Sequence, residues 1–345
     1  MKSSSWATVL WFMAAIGSGS AEAGMGLTEA PGEQGDAAVT IYYPSGAEEQ
    51  PLQLGPFRLH LARAGLPERG NGRLIVISHG SGGAPWVHAD LARMLVQSGF
   101  VVAMPEHRGD NCKDPSAPGP QSWKQRPAEV SRAIDAVARD PRFAPILRLD
   151  KVGLYGMSAG GHTALTLAGG QWSPALFTQH CEANIAQDFP ACVGLITQLR
   201  GNWLDGPKKA LALAAIRQRF GDATRYSHDD PRVQAVVAGV PFAADFDMNT
   251  LVAPRVPLGL VLAGGDKWLA PRFHSAPLRR ACTTCEILAD LPTAGHGALL
   301  SPPPSPVNLG EIAAGLLADP AGFDRKVLPE VDRAITSFFS SHLLP

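Results

Sequence analysis

Ser158 stands in the stretch Gly156-Met157-Ser158-Ala159-Gly160. A serine hydroxyl becomes a useful nucleophile when a base takes its proton and an acid orients that base. His296, set between Gly295 and Gly297, has the right type for the base. Asp266, directly after Gly264-Gly265, has the right type for the acid, with Asp245 and Asp247 as reserves. The chemistry that Ser158, Asp266 and His296 would perform together is acyl transfer. The tetrahedral oxyanion of that reaction requires two preorganised donors. The backbone N–H of Ala159, next to the serine, is one. The run His79-Gly80-Ser81-Gly82-Gly83 offers the other, with the Ser81 N–H first and the Gly82 N–H second.

These residues need elements to position them. Val152–Tyr155 reads as a short buried strand and Thr163–Ala168 as the body of a buried helix, so Ser158 falls on a strand-to-helix turn. Glycines at 156 and 160 suit the close passage of strand and helix there. Leu74–Ser78 is a continuous apolar run, as a central strand covered on both faces requires, and it delivers the 79–83 loop. Phe100–Met104 is another such strand, preceded by a helix from about Val87 to Ser98. The apolar spacing at Val130, Ala133, Ile134 and Val137 predicts a helix over Pro127–Arg139. Val233–Val240, Pro257–Ala263 and Glu286–Ala289 continue the strands. Asp266 and His296 follow the last two. Val331–Phe339 closes the chain as an amphipathic helix. The alternation predicts an α/β fold, a mostly parallel doubly wound sheet with function at the carboxyl ends of its strands.

Residues 170–231 break the rhythm and read as a cap-like insertion over the site, with a helix near Lys208–Arg219. Trp172, Phe177 and Trp203 in it point to an apolar acyl pocket. Val39–Tyr43 and Phe57–Ala62 read as edge strands, and Gly24–Ala37 as a loose, Gly-rich leader.

Other histidines fail as the base on position: His60 is on an early strand, His180 and His228 are in the insertion, His274 precedes the last strand, and His342 ends the chain. His79 and His162 read as structural hydrogen-bonding residues. Glu106, His107 and Asp110 lack metalloprotease spacing and read as a brace near the site. Trp268, beside the acid, either lines a pocket or fills core. No metal or organic cofactor is required.

The 345 residues are 45% hydrophobic and 18% charged, which suits one large domain. A net charge of −1 gives no electrostatic case for nucleic acid or an anionic membrane surface. Residues 1–23 read as a secretory signal: Lys2, an apolar core from Trp6 to Ile16, and a small-x-small site at Ala21-Glu22-Ala23. That core is short of a membrane span. The expectation is an exported protein, secreted or periplasmic, spanning 24–345. Export permits disulfides among the five cysteines. Cys181 with Cys192 and Cys282 with Cys285 are the sequence-local pairings, leaving Cys112 free, although spacing alone does not fix connectivity. Cys282-Thr-Thr-Cys285 also has redox-pair spacing, but it enters a strand rather than opening a helix.

Three stretches together resemble a known family. They are Ile77–Gly83, Leu95–Pro105 with Gly109-Asp110-Asn111, and Gly156–Gly160. They are similar to the predicted dienelactone hydrolases, relatives of the platelet-activating-factor acetylhydrolases in the α/β-hydrolase superfamily. The order Ser158, Asp266, His296 is the nucleophile–acid–histidine order of α/β-hydrolases. The resemblance runs from about Val39 to the last helix and is weakest over 170–231. It implies an α/β-hydrolase fold and a carboxylic ester hydrolase acting on a small-molecule or lipid ester. The founding dienelactone hydrolases carry a cysteine where this chain has Ser158, so a lactone is a poor guide to the substrate. The rival readings are an amidase or peptidase with the same triad, and a non-catalytic exported binding protein of the same fold.

Overall fold

The computed structural model describes residues 24–33, 35–63, 65–303 and 310–345. The expected signal segment, 1–23, lies outside them. Strand β1 (Gly24–Ala30) pairs antiparallel with β2 (Val39–Ser45). A separate hairpin follows, β3 (Gln50–Leu54) with β4 (Phe57–Leu61). Then the alternation begins: β5 (Leu74–Ser78), α1 (Ala89–Gln97), β6 (Val101–Pro105), α2 (Pro120–Arg139), β7 (Val152–Met157) and α3 (Ala159–Leu167).

Residues 170–231 carry β8 (Gln171–Trp172), α4 (Pro174–Asn184), α5 (Phe189–Val193) and α6 (Asp205–Arg219). The alternation resumes with β9 (Val233–Gly239), a short β10 (Phe246–Asp247), β11 (Leu258–Ala263), α7 (Ser275–Ala281) and β12 (Glu286–Leu291). Helices α8 (Glu311–Leu317) and α9 (Leu328–Leu343) complete the described chain.

The central sheet has eight strands in the order β1-β2-β6-β5-β7-β9-β11-β12. From β6 to β12 every neighbouring pair is parallel, and β1 and β2 close one side antiparallel. The fold is thus α/β around a mostly parallel sheet. β5 shows why its sequence is apolar without alternation. Leu74 and Val76 join the core under α2 and α3, while Ile75 and Ile77 join the core under α1 and α9. Successive side chains point to opposite faces, and both faces are covered.

Three expectations need correction. Gly24–Ala37 is not a loose leader, because Gly24–Ala30 forms β1, which buries Met25 and Ala30. β2 is not an edge strand, since it lies between β1 and β6, and β4 pairs with β3 in a separate hairpin, meeting the central sheet where Ala62, just after it, bonds to β1. Helix α2 starts at Pro120 rather than Pro127. Its first turns bury Trp123 and Arg126 beside the site loops instead of on the sheet, so the apolar spacing begins later than the helix. Pro120 itself suits the first helical position.

Both local cysteine pairings are present as disulfides, Cys181–Cys192 and Cys282–Cys285, and Cys112 is free and exposed. Among the described residues no helix is long and apolar enough to cross a membrane.

Candidate active site

Ser158 sits between the end of β7 and the start of α3 with a backbone φ of 59°, a region that side-chain-bearing residues rarely occupy. Neighbouring backbone holds it there. Its N–H donates to Gly239 O at 3.0 Å, and its carbonyl accepts from Phe242 N at 3.1 Å and His162 N at 3.0 Å. Such strain persists only where surroundings over-determine it. The turn also needs Gly156, where a Cβ would stand 2.0 Å from Gly160 O.

Asp266 follows β11 and His296 follows β12, in a short 3₁₀ turn over His296–Leu299. The two are brought together with Ser158 in one line. Asp266 Oδ2 lies 2.6 Å from His296 Nδ1, and His296 Nε2 lies 3.0 Å from Ser158 Oγ. Asp266 is held by its other oxygen, which accepts from Trp268 N and Leu269 N, both at 2.8 Å. A carboxylate can only accept here, so His296 Nδ1 carries the proton and Nε2 presents its lone pair to the serine hydroxyl. The Trp268 ring lies 5.1 Å from the His296 ring and walls the site.

The reserve acids are elsewhere. Asp245 is fully buried with Oδ2 at 3.1 Å from His162 Nε2, and Asp247 accepts from Asn249 N and Arg225. His162 is thus a core histidine, stacked among Trp123, Trp172 and Phe246.

The 79–83 loop leaves β5 beside the serine. A Cβ on Gly80 would stand 3.4 Å from Ser158 Cβ. Gly82 N–H donates to Asp110 Oδ1 at 3.1 Å, which removes it as an oxyanion donor. The Ser81 N–H has no hydrogen-bond partner among the described residues. Ala159 is the first residue of α3, so its N–H has no acceptor inside the helix.

The support beneath this loop is the part that motif reading did not find. Asp110 Oδ1 also accepts from Ser81 Oγ at 2.5 Å, while Asp110 Oδ2 accepts from Arg126 at 2.8 Å. Arg126 is fully buried and donates a further bond to His79 O at 2.6 Å. One guanidinium thereby fixes both ends of the loop, directly at residue 79 and through Asp110 at residues 81 and 82.

His79 and His107 complete the brace. Burial, together with the Arg126 charge, holds both well below the ordinary imidazole range, so they are neutral at pH 7. His79 Nδ1 bonds Gly80 O at 2.7 Å and its Nε2 accepts from His107 N at 3.2 Å. His107 bridges Ser78 Oγ at 2.7 Å and Glu129 at 2.6 Å. Both histidines have both nitrogens engaged. Glu106 departs from the expected brace and pairs with Lys113 at the surface.

Among the described residues, His180, Asp188 and His274 are spaced as metal ligands could be. Hydrogen bonds account for them instead. Ala243 N–H donates to His274 Nδ1 at 3.1 Å, which leaves the neutral ring's proton on Nε2, 3.1 Å from Asp188 Oδ2. His180 Nε2 meets the same oxygen at 2.7 Å. The trio ties α4 and the start of α5 to the turn before α7.

Residues 170–231 lie over the serine. A cavity of about 430 Å³ opens beside Ser158 and is walled by Phe177 of α4, Val193 of α5, and Ile216 and Phe220 of and just after α6. Of the three aromatic residues expected to form a pocket, only Phe177 lines it. Trp172 is fully buried core and Trp203 is 82% exposed. No protein-family model matches the chain, and no curated protein matches it.

Proposed function

We propose that this chain is a serine hydrolase of the α/β-hydrolase fold that cleaves carboxylic esters through an acyl-enzyme. The observation that carries the reading is the continuous hydrogen-bonded line Asp266–His296–Ser158, with the serine on a strained strand-to-helix turn. The order of the three along the chain, and the placement of the 79–83 loop after the third strand of the central sheet, support it further.

In this reading His296 Nε2 takes the Ser158 proton as Oγ bonds to the ester carbonyl carbon. The oxyanion so formed meets the free N–H groups of Ser81 and Ala159, and the amino end of α3 adds a favourable dipole. When the C–O bond to the alcohol breaks, the imidazolium of His296 returns the proton to the departing oxygen. Water then bonds to the acyl carbon as it loses a proton to the same nitrogen; the bond from that carbon to Ser158 Oγ breaks, Oγ regains the proton from His296, and the acid leaves. Asp266 keeps the histidine in the required tautomer and offsets its transient positive charge. Two disulfides fit work in an oxidising compartment, outside the cell or in a periplasm.

Labelling of the folded protein with a fluorophosphonate, followed by peptide mapping, tests this. A single adduct on Ser158, absent in Ser158→Ala and in His296→Ala, is the expected result. Folded wild-type protein without an adduct would overturn the reading and favour a binding protein. Rates on matched ester and amide substrates separate esterase from amidase.

A further inference from the structure

Building on the serine-esterase reading, the geometry points to the acyl half of the substrate: an uncharged, apolar acyl group on the order of ten carbons long, received by the cavity between the core and residues 170–231.

The first ground is the direction of the cavity. The departing alcohol must meet His296, which donates its proton. Ser158, Ala159, Ser81 and Gly82 all line the cavity, and so does Trp268, whose ring lies 5.1 Å from that of His296. Apart from Trp268 and Leu269, the wall is built by residues on the Ser158 and oxyanion side and by residues 177–220, so the group that stays bonded to Ser158 is the one that enters it.

The second ground is its chemistry. Beyond the serine the walls are Trp123, Phe177, Phe242, Ile216 and Phe220, all buried. Their rings pack on one another, with Trp123 and Phe242 at 4.6 Å and Phe177 and Phe220 at 4.7 Å between centroids. Rings locked in this way form a stiff, largely apolar surface whose one side-chain hydrogen-bonding group is the Trp123 indole N–H. Of the two charged lining residues, one is an anion and the other a solvent-exposed cation. Asp110 has both oxygens occupied by Ser81, Gly82, Ser122 and Arg126. Arg219 is exposed, donates to Pro118 O, and packs over Phe220. A carboxylate carried into the aromatic part would lose its water and gain at most one neutral donor, the Trp123 N–H.

The third ground is size. At roughly 30 Å³ for each water-sized group, 430 Å³ accommodates a chain on the order of ten methylenes once the open mouth is discounted. The mouth is itself apolar, since Leu195 and Ile196 line the cavity and are 46% and 83% exposed.

The test is kcat/KM on p-nitrophenyl esters of straight-chain acids from acetate to palmitate, with wild type and Ile216→Trp. In wild type the value should rise by up to about fourfold per added methylene, to a maximum near ten carbons, and then fall. Ile216→Trp, which adds bulk to a wall of the cavity, should move that maximum to shorter chains. A half-ester ending in a carboxylate should be at least tenfold poorer than the neutral ester of equal length. A series of n-alkyl acetates, which lengthens the alcohol instead, should show no comparable rise. Turnover that is flat or falling from acetate onward, or equal turnover of the charged half-ester, would overturn the inference and leave the esterase reading in place. A rise along the alkyl acetates but not the acyl series would reverse its polarity and so overturn it too. Should Ile216→Trp not fold, inhibition of wild type by n-alkylboronic acids supplies the same chain-length profile. Absence of both ester turnover and fluorophosphonate labelling would instead remove the esterase reading on which the inference rests.

Discussion

Gly160 lies so close to Ser78 that a Cβ on it would stand 1.9 Å from the Ser78 carbonyl oxygen. The first turn of α3 is thereby pressed against the end of β5, and the serine turn and the 79–83 loop are locked at one separation. That separation decides whether the N–H groups of Ala159 and Ser81 can share one oxygen. Gly160→Ala should therefore damage both fold and site. The obstruction is backbone and cannot swing aside, so we expect a loss of about 1–3 kcal/mol or more of stability. Fluorophosphonate labelling should fall at least tenfold in whatever remains folded. Thermal denaturation and labelling rates on the same preparation check this, and a stable, fully reactive variant would show that the two loops can separate freely.

Asp110 should matter for rate through the loop it holds. Asp110→Asn keeps an oxygen for Gly82 but removes the charge that Arg126 faces. The expected result is a 10- to 100-fold fall in kcat with little change in KM, less than the ~10²–10³ cost of deleting an oxyanion donor outright. Asp110→Ala should also lose stability, by about 3–5 kcal/mol, because Arg126 would be left buried without its counter-charge. Steady-state kinetics separate this from a packing defect, since a substrate-binding role would raise KM instead.

The two examples also mark what the sequence could reveal. Ser158, Asp266 and His296 were legible because each follows a strand and has a glycine within two residues. The 79–83 loop was legible for the same reason. Arg126 was not, because a buried arginine on a helix looks like a solvated one until Asp110, His79 and Ser122 are seen around it. β1 was missed because Gly24 and Gly26 weaken the strand signal, and its pairing with β2 supplies what local propensity lacks. Trp203 shows the reverse error. An aromatic residue in a cap suggested a pocket wall, and it faces solvent.

Asp188 predicts how the cap responds to acid. Burial pushes its carboxyl up, but the hydrogen bonds from His180 and His274 outweigh this and hold it below the usual range. A carboxyl depressed in the folded state stabilises above its unfolded value, about 3.9, and that contribution is lost as the pH falls through the folded value. The stability difference between wild type and Asp188→Asn should be full near pH 6–7 and shrink below about pH 4. Tm values of the pair across that range provide the check. A difference that grows on acidification would contradict the assigned direction.

Asp332 should behave in the opposite way. It lies on α9 beside Asp90, and burial with that neighbouring charge raises its carboxyl to about 7. The folded protein holds this proton more tightly than the unfolded chain, whose carboxyl titrates near 3.9. Stability is therefore greatest at low pH with respect to this group. It declines at up to about 1.4 kcal/mol per pH unit from the unfolded value until the folded one is passed, near pH 7. Asp332→Asn cannot ionise and should escape the loss. The variant should match wild type at pH 5 more closely than at pH 8, where its Tm should be several degrees higher. Because Asp332 is remote from Ser158 in the fold, on the face of the sheet covered by α1 and α9, ester turnover at pH 7 should be retained. Equal Tm shifts at both pH values would mean that the substitution acts through packing and that Asp332 is ionised throughout.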